Sequence, residues 1–146
     1  MKRKAVAAWS GTGLEGAGSL TTQSGTLNNT PLTFKTRFTS EDGRAGTNPE
    51  ELIGAAHAGC FTMQLSFYIV EAGHTADLLT TEATVEVGPK EGGGFILSNI
   101  HLDLTGKVTG MSAEKFYELA EKAKSGCIIS HALRSVPMTL HSHFEA

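Results

Sequence analysis

Leu32, Phe34, Thr36 and Phe38 alternate with Thr33, Lys35 and Arg37. That two-residue period predicts a half-buried strand with Lys35 and Arg37 on its polar face. The segments "KAVAAWS" and "AGSLTTQS" before it predict two short strands joined by the glycine-rich "GTGLEG". Further on, "TEATVEV" alternates cleanly, "PKEGGG" is a turn, and "FILSNIHLDLTGKV" is a long strand with Ile96, Ser98, Ile100, Leu102 and Leu104 on one face. "PMTLHSHF" predicts a last strand. From Ser112 to Lys124 the period becomes helical: Ser112 caps, Phe116, Leu119, Ala120 and Ala123 form one stripe, and Gly126 ends it. "CIISHAL" adds a short helical turn.

The longest helical pattern starts at "NPEELIGAAHAGCF", Asn48 to Phe61. Asn48 suits the cap and Pro49 the first helical position, and Glu51 stands three residues on, where a capping-box carboxylate reaches back. Glu50 and Glu51 also complement the positive end of the helix dipole. Apolar and small residues continue to about Val70, and Gly73 is a stop. Leu52 to Val70 is long enough to cross a membrane, but it holds His57, Thr62, Gln64 and Ser66. A helix apolar most of the way round is therefore expected as the buried centre of a globular protein. The small residues Gly54, Ala55, Ala56, Ala58 and Gly59 permit close approach of another element. Strands, long helix, strands, helix, strand predict one α+β domain over residues 1–146, with antiparallel sheets around a long central buried helix.

Composition narrows the function. The chain has 146 residues, 40% hydrophobic and 18% charged, with a net charge of −3. That is enough for one core, and it offers no basic excess for nucleic acid or a membrane surface. The start "MKRKAVAAWSGTG" is basic, but its apolar run is too short for a signal peptide, so a cytoplasmic location is expected. In that compartment the two cysteines, Cys60 and Cys127, are expected either as unlinked thiols or as a redox pair.

Gly11-Thr-Gly13-Leu-Glu-Gly16 matches a dinucleotide fingerprint by letter, but the following strand pattern and the lack of an acidic residue near position 33 make it a hairpin turn. Asn28-Asn29-Thr30 fits a glycosylation acceptor, and without a secretory signal it is chance. Among six histidines, His141 and His143 share a strand face, which suits a metal grip or simply a solvated face. No serine-hydrolase elbow is present. His57 lies one helical turn before Cys60, which fits either a Cys–His catalytic pair or a core histidine bonded to backbone or to a facing strand. Cys60 itself reads either as a small buried hydrophobe or as a reactive thiol. Cys127 opens a short turn whose N–H groups favour a thiolate, and Arg37 and Arg44 can supply positive charge.

"GTNPEELIGAAHAGCF", with "FKTRF" upstream and "AEKAKSGCIIS" downstream, resembles the OsmC/Ohr family of thiol peroxidases over nearly the whole chain. It is nearer the OsmC branch, because the loop after the first strand has no arginine and "TRF" carries one, Arg37. The resemblance implies an OsmC-like intertwined homodimer with peroxidase activity in oxidative and osmotic stress defence; reduction of organic hydroperoxides, and of hydrogen peroxide more weakly, is expected from the apolar residues named below. It implies Cys60 as the peroxidatic cysteine, Cys127 as the resolving cysteine and Arg37 with Glu50 as polar partners. It further implies an external dithiol reductant of lipoyl type; no cofactor or metal is expected. The chain departs from the family pattern at Ile128, where members often have a proline that presets the turn after the second cysteine.

Helix geometry adds a constraint. Glu50 and Cys60 are ten residues apart on one predicted helix, roughly 15 Å at about 1.5 Å per residue. No side chain spans that, so either the helix is broken or Glu50 serves the Cys60 of a second copy, and the second is expected. Phe61 and Met63, with Phe34 or Phe38, favour an organic peroxide. Arg44, in the loop before the helix, is the alternative to Arg37 as thiolate partner. Two other functions fit the same residues: a binding module for an apolar small molecule, and a thiol-based redox sensor without turnover.

Overall fold

The computed structural model describes residues 1–145. The chain divides between Leu52 and Ile53 into two units. In the first, β1 (Ala5–Ser10), β2 (Ala17–Thr22) and β3 (Thr30–Thr33) form an antiparallel sheet in that order. The glycine-rich segment is the expected β1–β2 turn. Gly11 takes a φ of +91°, open to glycine at no steric cost, and both the Gly16 N–H and the Trp9 indole donate to the Thr12 carbonyl.

The strand expected over residues 32–38 stops at Thr33, and a π-helical turn, Lys35–Thr39, follows. Two threonines make the difference. The Thr36 N–H donates to Thr33 Oγ1 and the Thr33 N–H donates to Thr36 Oγ1, both at 3.1 Å. This reciprocal pairing starts a helical turn in the manner of a capping box, and it outweighs the alternating pattern. The Phe34 and Phe38 rings then meet at a tilt, centroids 5.0 Å apart, and the Arg37 guanidinium lies over the Phe38 ring.

Helix α1 (Pro49–Glu71) begins in the first unit and runs unbroken into the second. The Glu51 N–H donates to Asn48 Oδ1 at 2.8 Å, the expected cap. The Glu51 carboxylate accepts from the Thr47 hydroxyl at 2.6 Å, a partner the capping-box reading did not name.

In the second unit α1 buries Gly54, His57, Phe61, Leu65 and Ile69, one stripe of helical spacing. The stripe packs on a sheet of β4 (Leu78–Pro89), β5 (Phe95–Lys107) and β6 (Met138–Glu145). At Gly54 the fit is close: an added Cβ would lie 3.0 Å from the Ala83 carbonyl oxygen of β4. Thr62 Oγ1 joins Thr81 Oγ1 at 2.7 Å. The far face of α1 is exposed, with Met63 62%, Phe67 58% and Val70 62% accessible. The helix is central, as expected, and its packing in the second unit buries one stripe while the opposite face is exposed.

β4 and β5 pair antiparallel, with a bulge at Glu86/Val87. β6 instead joins β5 in parallel, so this sheet is mixed where antiparallel pairing was expected. The connection explains it: α2 (Ala113–Gly126) and α3 (Ile128–Ala132) cross between β5 and β6, which returns the chain in the same direction. Of the expected β5 face, Ile100, Leu102 and Leu104 are core, while Ile96 and Ser98 lie in the exposed first part of the strand. Ser112 caps α2 by accepting from the Lys115 N–H, and Phe116, Leu119, Ala120 and Ala123 are buried as predicted.

Gly106 of β5 leaves no room for a side chain, because an added Cβ would overlap the Phe116 ring. Gly106→Ala is expected to destabilise the fold by about 1–3 kcal/mol through overpacking. Urea unfolding followed by far-UV circular dichroism checks this.

Candidate active site

Cys60 and Cys127, 67 residues apart in sequence, meet in the second unit. The Cys127 thiol donates to Cys60 Sγ at a sulfur–sulfur distance of 2.7 Å, and both thiols are free. Cys60 sits half-buried in mid-α1, against the core. Cys127 is fully buried at the junction of two helices. Its N–H donates to the Ala123 carbonyl and ends α2, while its sulfur accepts from the Ser130 N–H at 3.4 Å and caps α3. The short turn expected at "CIISHAL" is thus what sets Cys127 in place. Ile128 follows the cysteine without proline and the turn still forms.

Burial pushes the Cys60 thiol above the ordinary thiol range, and the adjacent Cys127 sulfur adds to the rise. The backbone N–H groups of Ile129 and Ile128 at the start of α3 pull the other way. Burial and the paired sulfur win, so thiolate formation at Cys60 calls for additional positive charge.

Arg37 and Glu50 meet in the first unit. Arg37 Nη2 donates to Glu50 Oε1 at 2.7 Å, and Nε donates to both carboxylate oxygens at 3.2 and 3.3 Å. This is a fork-to-carboxylate pair that fixes the guanidinium plane. The four expected site residues therefore form two pairs, each within one unit. Arg44 has its N–H on Asp42 Oδ1 and an exposed side chain.

His57 is a core histidine, but its partner is neither backbone nor strand. Its Nε2 lies 2.7 Å from Ser130 Oγ, and both residues are buried. Burial pushes the His57 pKa below the ordinary value. Ser130 was missed in the sequence, where nothing links it to a position 73 residues earlier. His141 lies 3.6 Å from Asp103, and no group of three or more His, Cys, Asp or Glu gathers for a metal among the described residues.

A family profile described as OsmC-like protein matches residues 40–141. Peroxiredoxin OsmC of Escherichia coli K12 is 44% identical over 133 residues, 91% of this chain and 90% of that protein. Among solved structures, the organic hydroperoxide resistance protein OhrB of Bacillus subtilis is 27% identical, with a TM-score of 0.71 over 96% of this chain and 98% of that one. An OsmC-like protein of Mycoplasma pneumoniae, at 13% identity, shares the fold with a TM-score of 0.77 over 100% of this chain and 99% of the other. The family profile spans most of the chain that carries the paired thiols, and the chain belongs to the OsmC family.

Proposed function

We propose that this thiol peroxidase of the OsmC family reduces organic hydroperoxides through the Cys60–Cys127 pair. The observation that carries the reading is the contact of the two thiols at 2.7 Å. A Cys60 thiolate attacks the outer oxygen of ROOH, the O–O bond breaks, and the alkoxide takes a proton to leave as ROH. Cys60 is then a sulfenic acid. The Cys127 sulfur attacks it, an S–S bond forms as the S–O bond breaks, and the hydroxide leaves as water with the thiol proton. Two electrons pass from the thiols to the peroxide. An external dithiol, lipoyl in type, restores both thiols by exchange.

Cys60 needs positive charge, and Arg37, held flat by Glu50, is our candidate to supply it. Glu50 stands ten residues before Cys60 on an unbroken helix, about 15 Å away along the axis. The pair therefore serves a Cys60 of a second copy, and the working enzyme is a homodimer. Two surface features support this. The outer face of α1 exposes Met63, Phe67 and Val70. No hydrophobic side chain of residues 1–52 is buried, although Val6, Trp9 and Leu14 are there to bury. A sheet without a core of its own calls for a cover, and a second copy supplies a self-complementary one. In that assembly the two units act as one domain, and its site of action is the cytoplasm.

The apolar side chains that select an organic peroxide are Met63, exposed on the outer face of α1, with Phe34 or Phe38 of the second copy, whereas Phe61, expected among them, is wholly buried in the core. Steady-state turnover with a dithiol reductant tests the function. We expect kcat/KM for cumene hydroperoxide to exceed that for hydrogen peroxide by about tenfold or more, the scale on which an apolar pocket discriminates. Equal values remove the specificity claim, and no turnover with either removes the enzyme.

A further inference from the structure

His57 and Ser130 form a hydrogen bond inside the core, 2.7 Å long, with the histidine wholly buried. His57 Nδ1 is buried with no hydrogen-bond partner. Burial keeps the ring neutral at pH 7, so it has one N–H. An orphaned buried donor is costlier than an orphaned lone pair, so the proton sits on Nε2 and His57 donates to Ser130 Oγ. An apolar pair of the same shape would be about as stable and would orphan nothing. The value of the polar pair therefore lies in where it holds Ser130.

Ser130 is the third residue of α3, and its N–H donates to Cys127 Sγ. His57 and Cys60 are one turn apart on α1. The contacts His57–Ser130, Ser130–Cys127 and Cys127–Cys60 thus close a ring between α1 and the first turn of α3. Oxidation of Cys60 breaks that ring at one place: the sulfur that accepted the Cys127 proton now carries an oxygen. The His57–Ser130 bond is the side-chain contact of the ring that still ties α3 to α1.

We propose that His57 is a positioning residue, whose bond to Ser130 holds the first turn of α3 on α1 so that Cys127 stays in attack range while Cys60 is a sulfenic acid. This rests on the peroxidase reading above. The clamp acts on the second step alone, in which the S–S bond replaces the S–O bond and water leaves.

The test is rapid-quench mass spectrometry of the full-length protein after addition of cumene hydroperoxide, in wild type, Ser130→Ala, His57→Leu and His57→Gln. Ser130→Ala removes one oxygen, so the test survives even if His57→Leu misfolds. In Ser130→Ala we expect Cys60 to oxidise at the wild-type rate, and disulfide formation to slow by about tenfold or more, as small misplacements of reacting groups do. Cys60 sulfinic acid should then build up under excess peroxide. His57→Leu should slow the second step alike, and His57→Gln, whose amide can reach Ser130, should retain it in part. Wild-type disulfide formation in Ser130→Ala overturns the proposal, and so does an equal slowing of both steps, which marks simple loss of packing. If wild type itself forms no disulfide, the peroxidase reading falls first and the clamp with it.

Discussion

Cys60→Ser is expected to lower hydroperoxide turnover by at least about 10³-fold, the scale of losing a nucleophile. The serine hydroxyl does not ionise at working pH and cannot take oxygen from a peroxide. Cys127→Ser should behave differently. It leaves Cys60 able to attack once, so one equivalent of peroxide is consumed and turnover then stalls at the sulfenic acid, which proceeds to sulfinic acid under excess peroxide. A redox sensor would share the single oxidation of wild type but would not turn over with a dithiol. A binding module would leave Cys60 unreactive in every variant. The coupled assay and intact mass together separate the three.

Arg37→Ala has the second largest expected effect, a loss of about 10²-fold in kcat/KM, as for removal of one well-placed charged donor. The sign of its pH dependence follows from the surroundings of Cys60. Burial and Cys127 raise that thiol, so its unassisted thiolate appears only above the ordinary thiol range. A guanidinium lowers the pKa, and without it the pH profile of iodoacetamide alkylation at Cys60 should move to higher pH. Arg44→Ala should leave both the profile and turnover near wild type. If the two arginine variants exchange these results, Arg44 is the partner.

The same variant tests whether the site is shared between copies. Arg37→Ala retains Cys60, and Cys60→Ser retains Arg37 with Glu50. When the two inactive proteins are unfolded together and refolded, half the dimers are mixed, and each mixed dimer has one intact site. Activity of about a quarter of wild type should return. If Arg37 acts on the Cys60 of its own chain, none returns.

The site was legible in the sequence where chemistry follows from a short segment. Asn48, Pro49 and Glu51 announce a helix start, and α1 begins there. Cys127 was readable as the start of a turn because Gly126 precedes it, and it caps α3. The failures came where a distant or competing contact decides. Thr33 and Thr36 convert an alternating strand pattern into a π-helical turn, and this sets Arg37 beside Glu50. The parallel pairing of β6 follows from the α2–α3 crossover, which periodicity within β6 does not encode. Which face of α1 its own sheet buries was not legible either, because a helix apolar most of the way round does not say which surface covers each side. The His57–Ser130 bond joins residues 73 positions apart, with no local signal at either.

The most direct measurement is intact mass after one equivalent of cumene hydroperoxide, with remaining thiols blocked by iodoacetamide. Loss of two hydrogens with no alkyl group added is the predicted result, and Cys60→Ser and Cys127→Ser should each abolish it. A wild-type chain that keeps its mass and takes two alkyl groups would contradict the role of the Cys60–Cys127 pair.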